Sequence, residues 1–307
     1  MIIRPKLSWF RMLFVWRGSV LPRVLQPLGL ILLLSLLAVV LHRSHENLPL
    51  HLNPVPFTLI GVALAIFVGF RNNASYERFW EARKLWGQLL NRARVLARNA
   101  VVLPGLPRSD ASVQQLIALL IAFTHCLRHQ LRESDPDVDL ARLLDTEAAA
   151  QIAACQFRPP ELLRRITVQL HAWHRTGRLS DILLASCLEQ VDALTDVVGG
   201  CERIATTPIP YSYHVLLHRT VYFYCALLPF GLVASIGWGT PVICVFIAYT
   251  FMALDALASE LEHPFGEEPN DLALLAMSVF IERTLRETGG ESELPAPVGI
   301  DEAFRLY

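Results

Sequence analysis

PVPFTLIGVALAIFVGF, residues 54–70, carries no charged side chain and ends at Arg71. A run of about 18 such residues is long enough to cross the hydrocarbon of a bilayer as a helix. Two stripes run along it at helical spacing. Gly61, Ala65 and Gly69 recur every fourth residue, and small side chains so placed let helix backbones approach closely in lipid. Beside them Val62, Ile66 and Phe70 form a bulky apolar stripe. Spacing alone assigns these three to lipid or core packing. The alternative is a pore lining, where a hydrophobic constriction gates ions by dewetting.

Two further stretches resemble this one. Val24 to Leu41 has no charge, and Thr220 to Leu254 is a longer uncharged run. The latter is too long for one crossing and contains Gly237-Trp238-Gly239-Thr240-Pro241, which reads as a tight turn. Four membrane-embedded segments in two hairpins result. The expected fold class is an all-α integral membrane protein with a large helical cytosolic region. Hydrophobic residues make up 53% of the 307 and charged ones only 18%, against roughly 25% charged in soluble domains.

Lys and Arg placement orients the chain. Arg4, Lys6, Arg11, Arg17 and Arg23 precede the first span. The loop His42–Asn53 holds only Arg43, whereas Arg71, Arg78, Arg83, Lys84, Arg92, Arg94 and Arg98 follow the second span. Both termini and the middle segment are therefore expected in the cytoplasm, with the spans in the inner (plasma) membrane. The basic lead has no clear cleavage site after it and does not read as a signal peptide. Expected boundaries are 1–70 for the lead and first hairpin, 71–213 for the cytosolic helices, 214–258 for the second hairpin and 259–307 for a cytosolic end with a loose tail. Helical patterns cover Tyr76 to Ala100 and roughly 112–133, 138–155, 160–175 and 180–199, with Pro159-Pro160 and Gly199-Gly200 as punctuation.

A net charge of −1 and no basic patch argue against a nucleic-acid partner. The six cysteines form no CxxC pair and read as small buried residues in a reducing compartment. His125 with His129, His214 with His218, and His171 with His174 are one helical turn apart. Such pairs can hold a metal, which would make the chain a membrane metalloenzyme, but no pair has an adjacent His or a Glu placed to assist, and surface or packing histidines are the favoured reading. Asp255, at the edge of the last span, is either an intramembrane carboxylate with a function or an interfacial one. Glu267, Glu268 and Asp271, which follow Glu260 and Glu262, are a weak candidate cation loop, with a solvated loop as the default. No catalytic motif is present, so no enzyme activity and no cofactor is expected.

Four blocks carry a resemblance. They are Phe70-Arg71-Asn72-Asn73-Ala74-Ser75-Tyr76-Glu77-Arg78-Phe79-Trp80-Glu81-Ala82-Arg83, Gly199-Gly200-Cys201-Glu202-Arg203-Ile204, Thr207-Pro208-Ile209-Pro210-Tyr211 and His263-Pro264-Phe265-Gly266. In this order and spacing the chain resembles the prokaryotic branch of the bestrophins over roughly residues 1–287. The resemblance implies an ion channel: a homopentamer around one central pore, passing small monovalent ions, in contact with its own copies and with membrane lipids. It implies a neck at Val62, Ile66 and Phe70, and a second constriction at the cytosolic exit at Ile182, or Leu183 if the register slips by one. The dense acidic clasp of animal bestrophins is thinned here to Glu267-Glu268-Pro269-Asn270-Asp271, which counts against calcium activation. An uncharged neck leaves anion (chloride) and cation (sodium) selectivity both open. A non-conducting membrane scaffold is the remaining alternative.

Overall fold

The computed structural model describes residues 1–44 and 52–307; most of the loop expected at His42–Asn53 lies outside the described residues. The helices, in chain order, are α1 (Trp9–Met12), α2 (Leu21–Ser44), α3 (Pro54–Val102), α4 (Ala111–Leu131), α5 (Asp137–Leu143), α6 (Thr146–Ala153), α7 (Arg158–Arg175), α8 (Asp181–Thr206), α9 (Tyr211–Ile236), α10 (Thr240–Leu261) and α11 (Leu274–Gly289). Among the described residues there is no strand, only an isolated antiparallel bridge between Ile2 and Arg305.

The chain divides into two compact units, one of residues 5–79 and 208–263, the other of 1–4, 80–207 and 264–307. The first holds the membrane hairpins. Its core is Val24, Leu28 and Ile31 of α2, Leu64 and Val68 of α3, Val221, Cys225 and Leu228 of α9, and Cys244, Ala248 and Met252 of α10. Hydroxyls inside the spans are satisfied along their own helix: Ser35 donates to the Ile31 carbonyl at 2.7 Å and Thr250 to that of Phe246 at 3.0 Å. That is the solution open to a polar side chain where no water competes. A Cβ on Gly231 would lie 2.7 Å from the Phe57 ring, so α9 and α3 approach each other more closely there than any other residue allows. The hairpin turn falls where expected. α9 stops at Ile236, Gly237 takes φ +51°, and a single 3₁₀ turn leads into α10. α9 and α10 have 26 and 22 residues, about 33 Å or more each at ~1.5 Å per residue, enough for a crossing.

No helix boundary falls at the end of the second apolar run, where the charges begin. α3 runs unbroken through 49 residues, and Arg71 and Ser75 are still buried within the membrane unit, for reasons that emerge at the site below.

The second unit is built around α4. This helix is apolar and long enough to cross a bilayer, yet 72% of its apolar window is buried, against 17–33% for the other candidates. A helix apolar on all sides and covered by protein is a core helix. Trp86, Leu89, Ala93, Leu96 and Ala100 of α3, at spacings of three and four, are fully buried in the same unit. Asp110 caps α4 by accepting from the Ser112 amide at 2.9 Å, and Asp145 caps α6 through the Ala148 amide at 2.8 Å. Two details differ from the pattern. The single helix expected at 138–155 is two, broken at Leu144 in extended conformation. Gly199-Gly200 does not end α8, because Gly200 is where the Leu85 side chain packs onto the helix, 2.8 Å from a hypothetical Cβ. The tail after Gly289 is non-helical as expected, but it is tied down: the Tyr307 carbonyl accepts from the Ala276 amide at 2.6 Å and the Leu306 carbonyl from the Met1 ammonium at 2.7 Å.

Candidate functional site

α3 has two faces at membrane level. Leu64, Val68, Arg71 and Ser75 point into the chain and are buried. Val62, Ile66 and Phe70 point away from it, 58%, 52% and 62% exposed. Steps of four residues put them on one stripe about 12 Å long. In a single chain more than half of each remains uncovered. The neighbouring small residues behave differently from one another. A Cβ on Gly61 would lie 2.8 Å from the Tyr224 hydroxyl, whereas Ala65 is exposed and Gly69 has nothing within 4 Å of such a Cβ. Only Gly61 therefore serves packing inside the chain.

Ile182 stands on the first turn of α8, 81% exposed. Leu183 is partly covered, and its amide donates to the Ser180 cap at 3.4 Å. The outward position in this turn is Ile182, not its neighbour.

The sequence left one cluster unread. Arg71 follows Phe70 directly and is 1% exposed. Its Nη1 donates to Asp255 Oδ1, and its Nη2 donates to Ser259 Oγ at 2.8 Å and to His214 Nδ1 at 2.6 Å. Since a guanidinium can only donate, the His214 proton sits on Nε2. Glu262 Oε2 is 3.8 Å from Nη2. Asp255 is 7% exposed, and its other oxygen lies 3.1 Å from His218 Nδ1. His214 and His218 stack at 6.0 Å with nearly parallel rings. Asp255 is thus a buried partner to a buried cation at the end of α10, and the His214–His218 pair is consumed in holding both. The signal that could have found this is the coincidence of one Arg and one Asp at the ends of two uncharged runs, 54–70 and 220–254.

The His125–His129 pair also goes to an ion-pair network. His125 Nε2 lies 2.8 Å from Glu282 Oε2, and His129 Nε2 lies 3.0 Å from Asp139 Oδ2. Arg142 donates to both oxygens of Glu282 at 2.6 and 2.8 Å, and Arg128 donates to Asp139 at 2.6 Å. Burial alone would raise both carboxyls. The hydrogen bonds and positive charge of His125, His129, Arg142 and Arg286 outweigh it and hold them below the usual carboxylate range. Three guanidiniums at this cluster oppose a metal cation. His174 pairs with Asp181 at 2.6 Å. Among the described residues no three His, Cys, Asp or Glu side chains gather as a metal site.

Glu267, Glu268 and Asp271 are not brought together either. Asp271 is buried and accepts the Glu268 amide at 2.7 Å, while Glu267 is exposed, 4.0 Å from Arg132. The carbonyls of Phe265, Gly266 and Leu272 face the Arg132 guanidinium at 3.2–3.3 Å. Arg132 thus already donates to three main-chain oxygens of this loop. The thiols of Cys126 and Cys201 are pushed up to about 12 by burial, as inert core cysteines are.

Residues 1–287 match the family described as bacterial/fungal bestrophin protein. The chain is a bestrophin. It is 49% identical over 307 residues to a voltage-dependent anion channel-forming protein of Ralstonia nicotianae, covering all of this chain and 99% of that one. It is 44% identical to the voltage-dependent anion channel-forming protein YneE of Escherichia coli, with both chains fully covered. The crystal structure of a bacterial bestrophin homologue from Klebsiella pneumoniae superposes with a TM-score of 0.84 at 43% identity, over 88% of this chain and all of that one.

Proposed function

We propose that this bestrophin is one subunit of a homopentameric ion channel in the inner membrane, with both termini in the cytoplasm. It passes small monovalent ions through an axial pore whose neck is Val62, Ile66 and Phe70. The observation that carries the neck is their exposure: three bulky apolar side chains on one stripe, turned away from everything else in their own chain. Five copies around an axis would close them into three stacked rings that exclude ions when dry and admit them when wet. Ala65 and Gly69, open in the single chain, then give the neighbouring subunit its close approach. Ile182 forms the cytosolic constriction. The spans belong to 1–70 and 214–258, with 71–213 and 259–307 on the cytosolic side except for the short stretch anchored through Arg71. The names of the relatives support an anion; an uncharged neck does not itself choose the sign.

The test is current through the purified protein in a planar bilayer under asymmetric salt. A non-zero reversal potential is expected, and its sign identifies anion or cation. Phe70→Ala is expected to raise open probability or conductance. Silence from both wild type and Phe70→Ala, with inserted oligomer demonstrated, would overturn the channel. Wild-type current left unchanged by both Phe70→Ala and Ile66→Ala would overturn the neck alone.

A further inference from the structure

The N-terminal segment ahead of α2 interleaves exposed aromatic and basic side chains. Trp9, Phe10, Phe14 and Trp16 are 53–79% exposed. Lys6, Arg11 and Arg17 are exposed among them, and no described residue pairs with their side chains. No Asp or Glu occurs before Glu46. Between this segment and the membrane helices lies a groove of ≈ 820 Å³, within the range of about 300–1,000 Å³ typical of ligand pockets. Met12, Leu13 and Val15 form one wall, Leu28 and Leu32 of α2 and Val245 and Phe246 of α10 the other. Arg11 precedes the lining pair Met12-Leu13, and Arg17 lies between the lining residues Val15 and Ser19.

We infer that this groove is a site for one anionic phospholipid, its acyl chain on the Leu28, Leu32, Val245 and Phe246 surface and its headgroup phosphate on Arg11 and Arg17, with Lys6 adding charge. The charge balance selects this occupant. A hydrocarbon chain matches the groove walls. Exposed cations with no carboxylate beside them attract an anion, and a bilayer supplies hydrocarbon and phosphate in one molecule. Exposed tryptophans interleaved with Arg and Lys are the composition of a segment seated at the headgroup level. A second copy is the weaker fit, since its own first 45 residues would bring further cations and no carboxylate. The site goes beyond the channel assignment and stands whether or not the pore conducts.

The experiment uses the full-length protein, reconstituted with equal phosphatidylglycerol and phosphatidylcholine, then gently delipidated and weighed by native mass spectrometry. Wild type is expected to retain about one phosphatidylglycerol per subunit in preference to phosphatidylcholine. Arg11→Gln with Arg17→Gln, at exposed positions that leave the fold untouched, should lower that preference roughly 30-fold, from the attraction of each basic side chain to anionic lipid. Leu32→Trp, at a position 42% exposed, should fill the groove and lower retention of both lipids. Equal retention of the two lipids by wild type, or undiminished phosphatidylglycerol in the double glutamine variant, would overturn the site. So would efficient disulfide cross-linking of Val242→Cys between subunits, which would put a second copy in the groove.

Discussion

Separating Arg71 from Asp255 should be the most damaging single change in the membrane unit that leaves its apolar core intact. The guanidinium is 1% exposed and the carboxylate 7%. Removing one member strands the other charge in a medium that solvates it poorly. Broken buried pairs cost ~3–5 kcal/mol. Here the low end applies to Asp255→Leu, because Ser259 and His214 still accept from Arg71 and Glu262 stands 3.8 Å away. Arg71→Met should cost more, since Asp255 then keeps only His218 and no permanent cation. At ~2–4 °C per kcal/mol for a chain of this size class, a loss of ~3 kcal/mol lowers the apparent Tm by about 6–12 °C. The assay is intrinsic-fluorescence melting of the purified oligomer in detergent at one scan rate, since unfolding of such proteins is irreversible. The double variant Arg71→Met with Asp255→Leu exchanges the pair for apolar packing and should melt within a few degrees of wild type. Single variants that melt like wild type would refute the reasoning. So would a double variant whose loss equals the sum of the singles.

Three further outcomes follow from the same geometry. Gly69→Val meets nothing within its own chain, so it should fold but lose oligomer on size exclusion; an intact oligomer would remove Gly69 from the proposed subunit contact. Gly231→Val drives a methyl into the Phe57 ring and should cost about 1–3 kcal/mol by overpacking, read as a lower melting temperature; no change would mean the α3–α9 approach is looser than described. Asp139 and Glu282 have depressed folded pKa values, so their stabilisation is fully present above the unfolded value near 4 and lost as pH falls through the folded values. Melting of the unit that holds them should therefore change little on their account between pH 7 and 5 and fall below about pH 4. Glu282→Gln should flatten that acid limb, and an unchanged limb would exclude Glu282 as its source.

What the sequence made legible was whatever depends on runs and periods. The apolar spans, the turn at Gly237, the bulky stripe Val62–Ile66–Phe70 and the order of the helices between the hairpins all follow from apolar length or from spacing. What it hid depends on partners distant in the chain. Arg71 counts as one more positive charge after a span, and only the fold brings it to Asp255, 184 residues later. Arg132 likewise gives no hint that it fills the oxygens of the loop at 265–272. The histidines mislead for the same reason: i, i+4 spacing says that two rings share a face, not that carboxylates and guanidiniums already hold them. α4 shows the limit of hydropathy, which measures what a helix can be buried in but not whether lipid or protein does the burying.

Phe70 of the proposed neck and Arg71 of the buried pair are consecutive on α3. Phe70 and Arg71 differ by about 100° of helix rotation, so fixing one fixes the direction of the other. With Arg71 held by Asp255, His214 and Ser259, α3 cannot turn about its axis without breaking a desolvated ion pair, and Val62, Ile66 and Phe70 stay aligned. A charge-only explanation would have the pair act on ions directly, which its burial argues against. The two accounts diverge in the double variant Arg71→Met with Asp255→Leu. If the pair acts by orienting α3, apolar packing at the same positions should keep the neck aligned and conductance close to wild type, while the single variants loosen it and raise open probability. If the pair acts through its charge, the double variant should shift ion selectivity although its stability is restored. Single-channel recording of that variant, with reversal potential and open probability measured together, decides between orientation and charge.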